Sequence, residues 1–482
     1  MIERDASIAA TDPTTLLAWF DLAGLYASVD IRSDELHDAL ANATYGEPVA
    51  EGARAYIHER AHLFQAVGST IGFYAYLLQL AQTAIVGFLM HRLVHRCGVA
   101  LRAPLREFAR SLPTAWQEVE DLIQQWDWLE ASVAELTASP DYVAAVTNPY
   151  LVPSRWSARF RYTQLAIHAL YEPESQEVTA DALAQEPESE TEAIPEAAAF
   201  AGRLLTHEIM SVGGVMESAA YAYELDAFGE EGELAEAAGS LAYEKGAYAL
   251  LIQDTKHLLG RRVRDEELLA THVALCDLAL NPPVLPQHLR IRNGLRRDEL
   301  SPTSRIVALW THADVVETPK TFREIPRYEI ELSRALGWTL PHEIVGAGAW
   351  HGRLKNHDPR ETMYLDVLRH RQVLPMVVSD AQYLFSREPA VRRLFERVDF
   401  SIVSCRDGAI HPADPERAQL LVKYYLMHQW HRQLFLGEPE RLVAPVGVPP
   451  SVVRDFCDEM SALLEAELGG HAVNGPVVYI AA

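Results

Sequence analysis

From Ala61 to Met90 the chain carries no Asp, Glu, Lys or Arg. An uncharged run of that length could cross a bilayer. Gln65, Ser69, Thr70, Gln79, Gln82 and Thr83 interrupt it, however. Polar groups scattered along an apolar helix predict burial on all sides in a soluble core, not a membrane span. Elsewhere the apolar positions recur mostly at helical spacing. Residues 114–136, "TAWQEVEDLIQQWDWLEASVAEL", follow Pro113 and stop before "TASPD". Residues 232–260 are Ala-rich and close on Gly260 as a C-cap. Residues 416–435 and 451–468 read as two late helices. Alternation is rare, and the best strand candidates are "FSIVSC" (400–405) and "PVVYIA" (476–481). The expected fold is mainly α-helical with minor β, including a carboxy-terminal α+β region.

The 482 residues suffice for one large or two moderate domains. Two breaks divide the chain. Between Glu172 and Glu196 stand nine acids, Glu172, Glu174, Glu177, Asp181, Glu186, Glu188, Glu190, Glu192 and Glu196, with no lysine or arginine. So few large apolar side chains cannot offset ordering entropy, which predicts a mobile surface insertion over 172–198. Residues 281–304 are rich in Pro and Arg. The expected regions are therefore 1–171, the insertion, a helical region 199–282, and a mostly helical region 283–482.

Charge narrows the function classes. A net charge of −25 opposes tracking of nucleic-acid phosphates and adhesion to anionic membranes. Cys97, Cys276, Cys405 and Cys457 are scattered without CxxC pairing, which fits a reducing cytoplasm and no cysteine-rich zinc module. The first residues lack the basic-then-apolar layout of a signal peptide.

Against that background "YIHERAHLFQ" (56–65) stands out. On a helix, positions 58, 62, 65 and 69 share one face; they hold His58, His62, Gln65 and Ser69, a polar stripe between apolar flanks. Two imidazoles four apart can converge on one metal ion. Glu59, one position round, is placed to reach a metal-bound water and take its proton. At these residue frequencies chance supplies roughly 0.07 HExxH matches per chain. A structural histidine pair is the competing reading.

A catalytic site needs a third protein ligand. In "LLTHEIMSVGGVMESAAYAYELDAFG" (204–229), a helix after Gly213 and Gly214 would present Glu217, Ala220, Tyr221 and Glu224 on one face. Glu217 is the first choice. Glu224 is a second choice or an outer partner fixing a histidine tautomer, and His207 is a third option. Here the chain resembles zincin-like metallopeptidases of the glutamate-ligand, or gluzincin, type. His58, Glu59 and His62 match the first motif, and Glu217 with Ala220 matches an E-x-x-A context on a later helix. The resemblance covers two short helices; the gap between them is long for that type, and no substrate-binding edge strand is recognisable. It implies a zincin-like helical core holding Zn2+, with a peptide or protein substrate and Tyr221 or Tyr223 as candidate oxyanion donors.

Other histidine groups are weaker candidates, and the first of them lacks a glutamate base. His91 and His95, near Cys97, sit among arginines. His428 and His431 read as helix packing. His342, Glu343, His351 and His357 fall in what reads as a glycine-rich loop. GxSxG, GxxxxGK[ST] and a strand-borne GxGxxG are absent. Three functions follow. The first is a zinc hydrolase acting on peptides. The second is a non-haem Fe(II) oxygenase using the same two imidazoles and one carboxylate, with Arg54, Arg60 or an arginine from the second half of the chain holding 2-oxoglutarate. The third is a catalytically inactive acidic binding protein docking through 172–196.

Overall fold

The computed structural model describes residues 18–21, 26–42, 51–97, 101–112, 117–137, 212–229, 233–234, 244–260, 263–283, 299, 302–348, 402–408, 415–438, 442, 448–467 and 473–474. Of these, 79% are helical and 4% are in strands, a mainly α-helical protein. The acidic insertion, His207, His351, His357 and "PVVYIA" lie outside the described residues.

The order is β1 (Ala18–Asp21), β2 (Tyr26–Val29), α1 (Ser33–Asn42), α2 (Glu51–Gly68), α3 (Thr70–Cys97), β3 (Leu101–Arg102), α4 (Leu105–Ser111) and α5 (Gln117–Thr137). Then come α6 (Val212–Phe228), α7 (Glu244–Leu259), α8 (Asp265–Leu280), α9 (Pro302–Thr311), α10 (Ile325–Leu336) and α11 (Pro341–Gly348). The last elements are β4 (Ile402–Ser404), α12 (Pro415–Leu436), α13 (Pro450–Glu467) and β5 (Val473–Asn474).

Helix α6 is the hub, packing against α2, α5, α7 and α8. Its sequence explains why. Ala219, Ala220 and Ala222 are small and buried, so neighbouring backbones approach closely, while Val215, Tyr221 and Tyr223 fill the space between them. A helix apolar on every side belongs inside a bundle. Buried residues from α2 to α13 join one apolar cluster.

The uncharged block is not one helix. It breaks at Ser69 into α2 and α3. The Ser69 hydroxyl donates to the Gln65 carbonyl (2.6 Å) and accepts from the Gly72 N–H (3.0 Å), capping α3. Asn281 Oδ1 accepts from the Thr70 N–H (3.1 Å), and Thr70 Oγ1 donates to the Pro282 carbonyl (2.7 Å). A Cβ on Gly72 would lie 2.3 Å from the Ala66 carbonyl oxygen, so only glycine permits this close turn. Helix α3 is long and apolar enough to span a membrane, but 75% of its most apolar window is buried in the fold. Gln82 on it donates to Glu130 of α5 (2.7 Å).

A small sheet of order β1-β2-β4 lies against α2. β1 and β2 are antiparallel with Ala18 opposite Val29, and β2 and β4 are parallel with Tyr26 opposite Ile402. Val29, Ile31, Val403 and Cys405 from the sheet side pack with Tyr56 and Ile57 of α2 and Phe228 of α6. This cluster clamps the His58 helix between sheet and bundle. β1 and β2 escaped the sequence reading because "AWFD" and "YASV" are too short to establish alternation. "PHEIVGAG" is a helix, not the expected loop. Pro341 begins it, and Glu343 Oε2 accepts from the Leu340 N–H (2.8 Å), satisfying a first-turn donor.

Candidate metal centre

His58 and His62 stand one turn apart on α2, with ring centroids 4.9 Å apart and planes at 79°. Because α6 packs across α2 through small side chains, Glu217 reaches both. Its Oε2 lies 3.0 Å from His58 Nε2 and 3.2 Å from His62 Nε2. Among the described residues, His58, His62 and Glu217 are the group of three or more ligand-type side chains whose donor atoms lie within 4.8 Å of one another. The imidazoles are buried, whereas 29% of the Glu217 side chain is exposed, so the cluster opens on the carboxylate side.

Each imidazole has a polar group facing its other nitrogen. Gln65 Nε2 donates to the Met216 carbonyl (2.8 Å), which can only accept. The amide oxygen must therefore face His62, and His62 Nδ1 donates to Gln65 Oε1 (2.8 Å). With the proton on Nδ1, the Nε2 lone pair is what His62 can offer a metal. On the other side, Glu224 Oε2 lies 3.3 Å from His58 Nδ1, long for a hydrogen bond but close for a charge. Glu224 Oε1 meets Arg54 Nη2 at 2.9 Å and Nε at 3.1 Å, and Arg54 Nη2 also meets Glu233 Oε1 at 2.5 Å.

The charges are mutually dependent. Burial favours a neutral His58, but Glu217 and Glu224 outweigh it and raise its pKa to about 10. His62 is likewise raised, with burial overcome by the Glu217 charge. The imidazoles in turn hold Glu217 well below the usual carboxylate range despite burial. Glu59 behaves differently. It is buried, and that burial raises its pKa to about 7 against the pull of His62 and His58. One cluster thus contains a carboxylate tuned to stay ionised and another tuned to exchange a proton near neutrality.

Tyr221 is fully buried in α6, with its pKa raised by burial and by the Glu233 and Glu224 charges. Tyr223 is buried against Phe322, with ring centroids 5.9 Å apart. Sequence reasoning missed three neighbours. The Tyr248 ring of α7 lies 6.4 Å from that of His58, and the Phe20 ring of β1 lies 6.3 Å from that of His62. Glu233 carried no periodic signal. The place of Arg54 was readable, since it precedes His58 by four positions on the same helix.

The other histidine sets separate from this cluster. His91 and His95 are exposed on α3, with rings stacked at 6.4 Å. His431 Nδ1 donates to the Met427 carbonyl (2.7 Å), and burial lowers its pKa to about 4. His342 and Glu343 are exposed on α11.

The donor set fits a divalent transition metal. Zinc bonds of about 2.0–2.1 Å at tetrahedral or octahedral angles separate ligand atoms by roughly 3–3.4 Å, and the two imidazole-to-carboxylate distances fall in that span. Two nitrogens and one oxygen leave a further coordination position on the open side. The chain matches no protein-family model, no curated protein and no solved structure.

Proposed function

We propose that this protein is a metal-dependent hydrolase, with His58, His62 and Glu217 holding Zn2+ and Glu59 as general base. The convergence of three donor atoms next to the buried carboxylate of Glu59 carries the reading. When bound there, zinc supplies Lewis acidity and a water of lowered pKa. Glu59 takes the proton and returns it to a leaving group. Gln65 orients the His62 ring and Glu224 faces the back of His58. The His62 ring cannot turn away without leaving a buried nitrogen unpaired.

The substrate we assign is a peptide or protein segment, on the strength of the gluzincin-type residues. β1 pairs with β2 and lies against α2, the helix of His58 and His62. We place the enzyme in the cytoplasm, given its scattered cysteines. The iron-oxygenase alternative has less support from α2, because the two arginines of that helix considered for a keto acid are engaged. Arg54 pairs with Glu224 and Glu233, and Arg60 donates to the Tyr56 hydroxyl (2.9 Å).

The test is a cleavage screen of unstructured peptides with zinc-loaded protein. Wild type should cleave, and Glu59→Gln should retain zinc while losing activity by about 100-fold or more. Full zinc occupancy without cleavage of any peptide, or an unimpaired Glu59→Gln variant, would overturn the assignment.

A further inference from the structure

Glu224 is 1% exposed and projects from α6 toward Arg54 and His58. Its two oxygens are divided between them. Oε1 receives Arg54 Nη2 and Nε at 2.9 and 3.1 Å, which leaves Oε2 for His58 Nδ1 at 3.3 Å. Arg54 is held from behind by Glu233 Oε1 at 2.5 Å. A charged chain thus runs Glu233, Arg54, Glu224, His58 and ends at the proposed metal position. The His62 side is built differently; its ring is fixed by the neutral Gln65 amide on a backbone carbonyl.

Building on the metal-site reading, we propose that Arg54 is a positioning residue for the first imidazole ligand, with Glu233 as its anchor. Two donors of a rigid guanidinium fork pin Glu224 Oε1, whereas a lysine ammonium would offer it a rotating point charge. The pinned Oε1 sets where Oε2 stands, and the Oε2 charge 3.3 Å from Nδ1 biases the rotation of the His58 ring about its Cβ–Cγ bond. Because Arg54 and His58 lie one turn apart on α2, clamp and ligand move as one body against α6. Without the clamp the carboxylate is free to rotate, and the ring can follow it away from the Nε2 direction that Glu217 shares.

The test measures Zn2+ affinity by competition with a chromophoric chelator on the full chain, beside thermal midpoints in chelator. Arg54→Met should bind zinc about 10- to 100-fold more weakly. Arg54→Lys should recover part of that loss, and Arg60→Met should bind like wild type. Glu233→Gln, which keeps the Arg54–Glu224 pair, should weaken zinc several-fold and decides the matter should Arg54→Met fail to fold. A folded Arg54→Met or Glu233→Gln variant with wild-type zinc affinity and only a lowered midpoint would reduce Arg54 to an ordinary ion pair, leaving the metal site standing. Wild-type protein that binds no zinc would overturn both.

Discussion

Glu217 and Ser218 are neighbours on α6, yet each serves a different histidine cluster. Glu217 faces His58 and His62. Ser218 Oγ faces His272 Nε2 at 2.8 Å, while Thr255 Oγ1 takes the other side of that ring at 2.8 Å. Trp310 Nε1 donates to the same threonine (3.1 Å), and Cys276 Sγ lies 3.4 Å from His272 Nε2. The second cluster is sealed and neutral. Burial lowers the His272 pKa to about 3 and pushes the Cys276 thiol up to about 12. In the first cluster carboxylates raise the pKa of His58, also buried, to about 10. Burial alone therefore does not make a histidine chemical; what matters is which groups face it and whether a nitrogen is left pointing at a shared, open position.

That contrast implies opposite responses to like substitutions. The largest effect is expected for His62→Ala, which removes one of three donors and should weaken zinc by at least about 1,000-fold, read by chelator competition. His272→Ala should leave zinc stoichiometry intact while destabilising the fold by roughly 2–4 kcal/mol, through a cavity and the loss of its Ser218 and Thr255 hydrogen bonds. Loss of zinc in a folded His272→Ala protein would erase the distinction.

Next comes the turn joining α2 to α3. Gly72→Ala forces a Cβ against the Ala66 carbonyl oxygen and should cost roughly 2–4 kcal/mol in denaturant unfolding. The Gln65 carbonyl is held in the same turn by Ser69, so zinc affinity should fall with it. Smaller again is Ser218→Ala, which strips one partner from His272 and should cost roughly 1–2 kcal/mol without changing zinc binding.

The last effect is a slope. His272 stays neutral in the folded state down to about pH 3, whereas in the unfolded chain it protonates below about 6.5. The unfolded state then binds more protons, so this contribution is present above pH 6.5 and is lost as pH falls from there toward 3. The groups facing the ring, Ser218, Thr255 and Cys276, are neutral and leave that sign unchanged. His272→Gln should show a shallower loss of unfolding free energy over this window; an unchanged slope would mean that His272 titrates alike in both states.

The mainly helical class was readable because long helices repeat their pattern many times. The late helices, expected over 416–435 and 451–468, run over Pro415–Leu436 and Pro450–Glu467. The polar stripe was readable for the same reason, since His58, His62 and Gln65 lie on one face of α2 and Ser69 stands at its end. The break at Ser69 was not, because its causes include Asn281 and Pro282, more than two hundred residues away. Pairing across the gap between α2 and α6 is equally non-local. Residue spacing offers Glu217 and Glu224 on one face of α6, but only packing sets Glu217 against both Nε2 atoms and Glu224 behind His58. Arg54 illustrates the limit: its side of the helix was visible, while the carboxylates that hold it come from elsewhere in the chain.

Everything proposed for the site depends on Glu217 completing a metal centre begun by His58 and His62. Elemental analysis of purified wild type beside Glu217→Ala, each supplied with zinc or iron and then desalted, decides whether it does. About one zinc per wild-type chain is expected, with stoichiometric metal lost from the variant. Wild-type protein without stoichiometric metal, or a Glu217→Ala variant that keeps it in full, would refute the assignment.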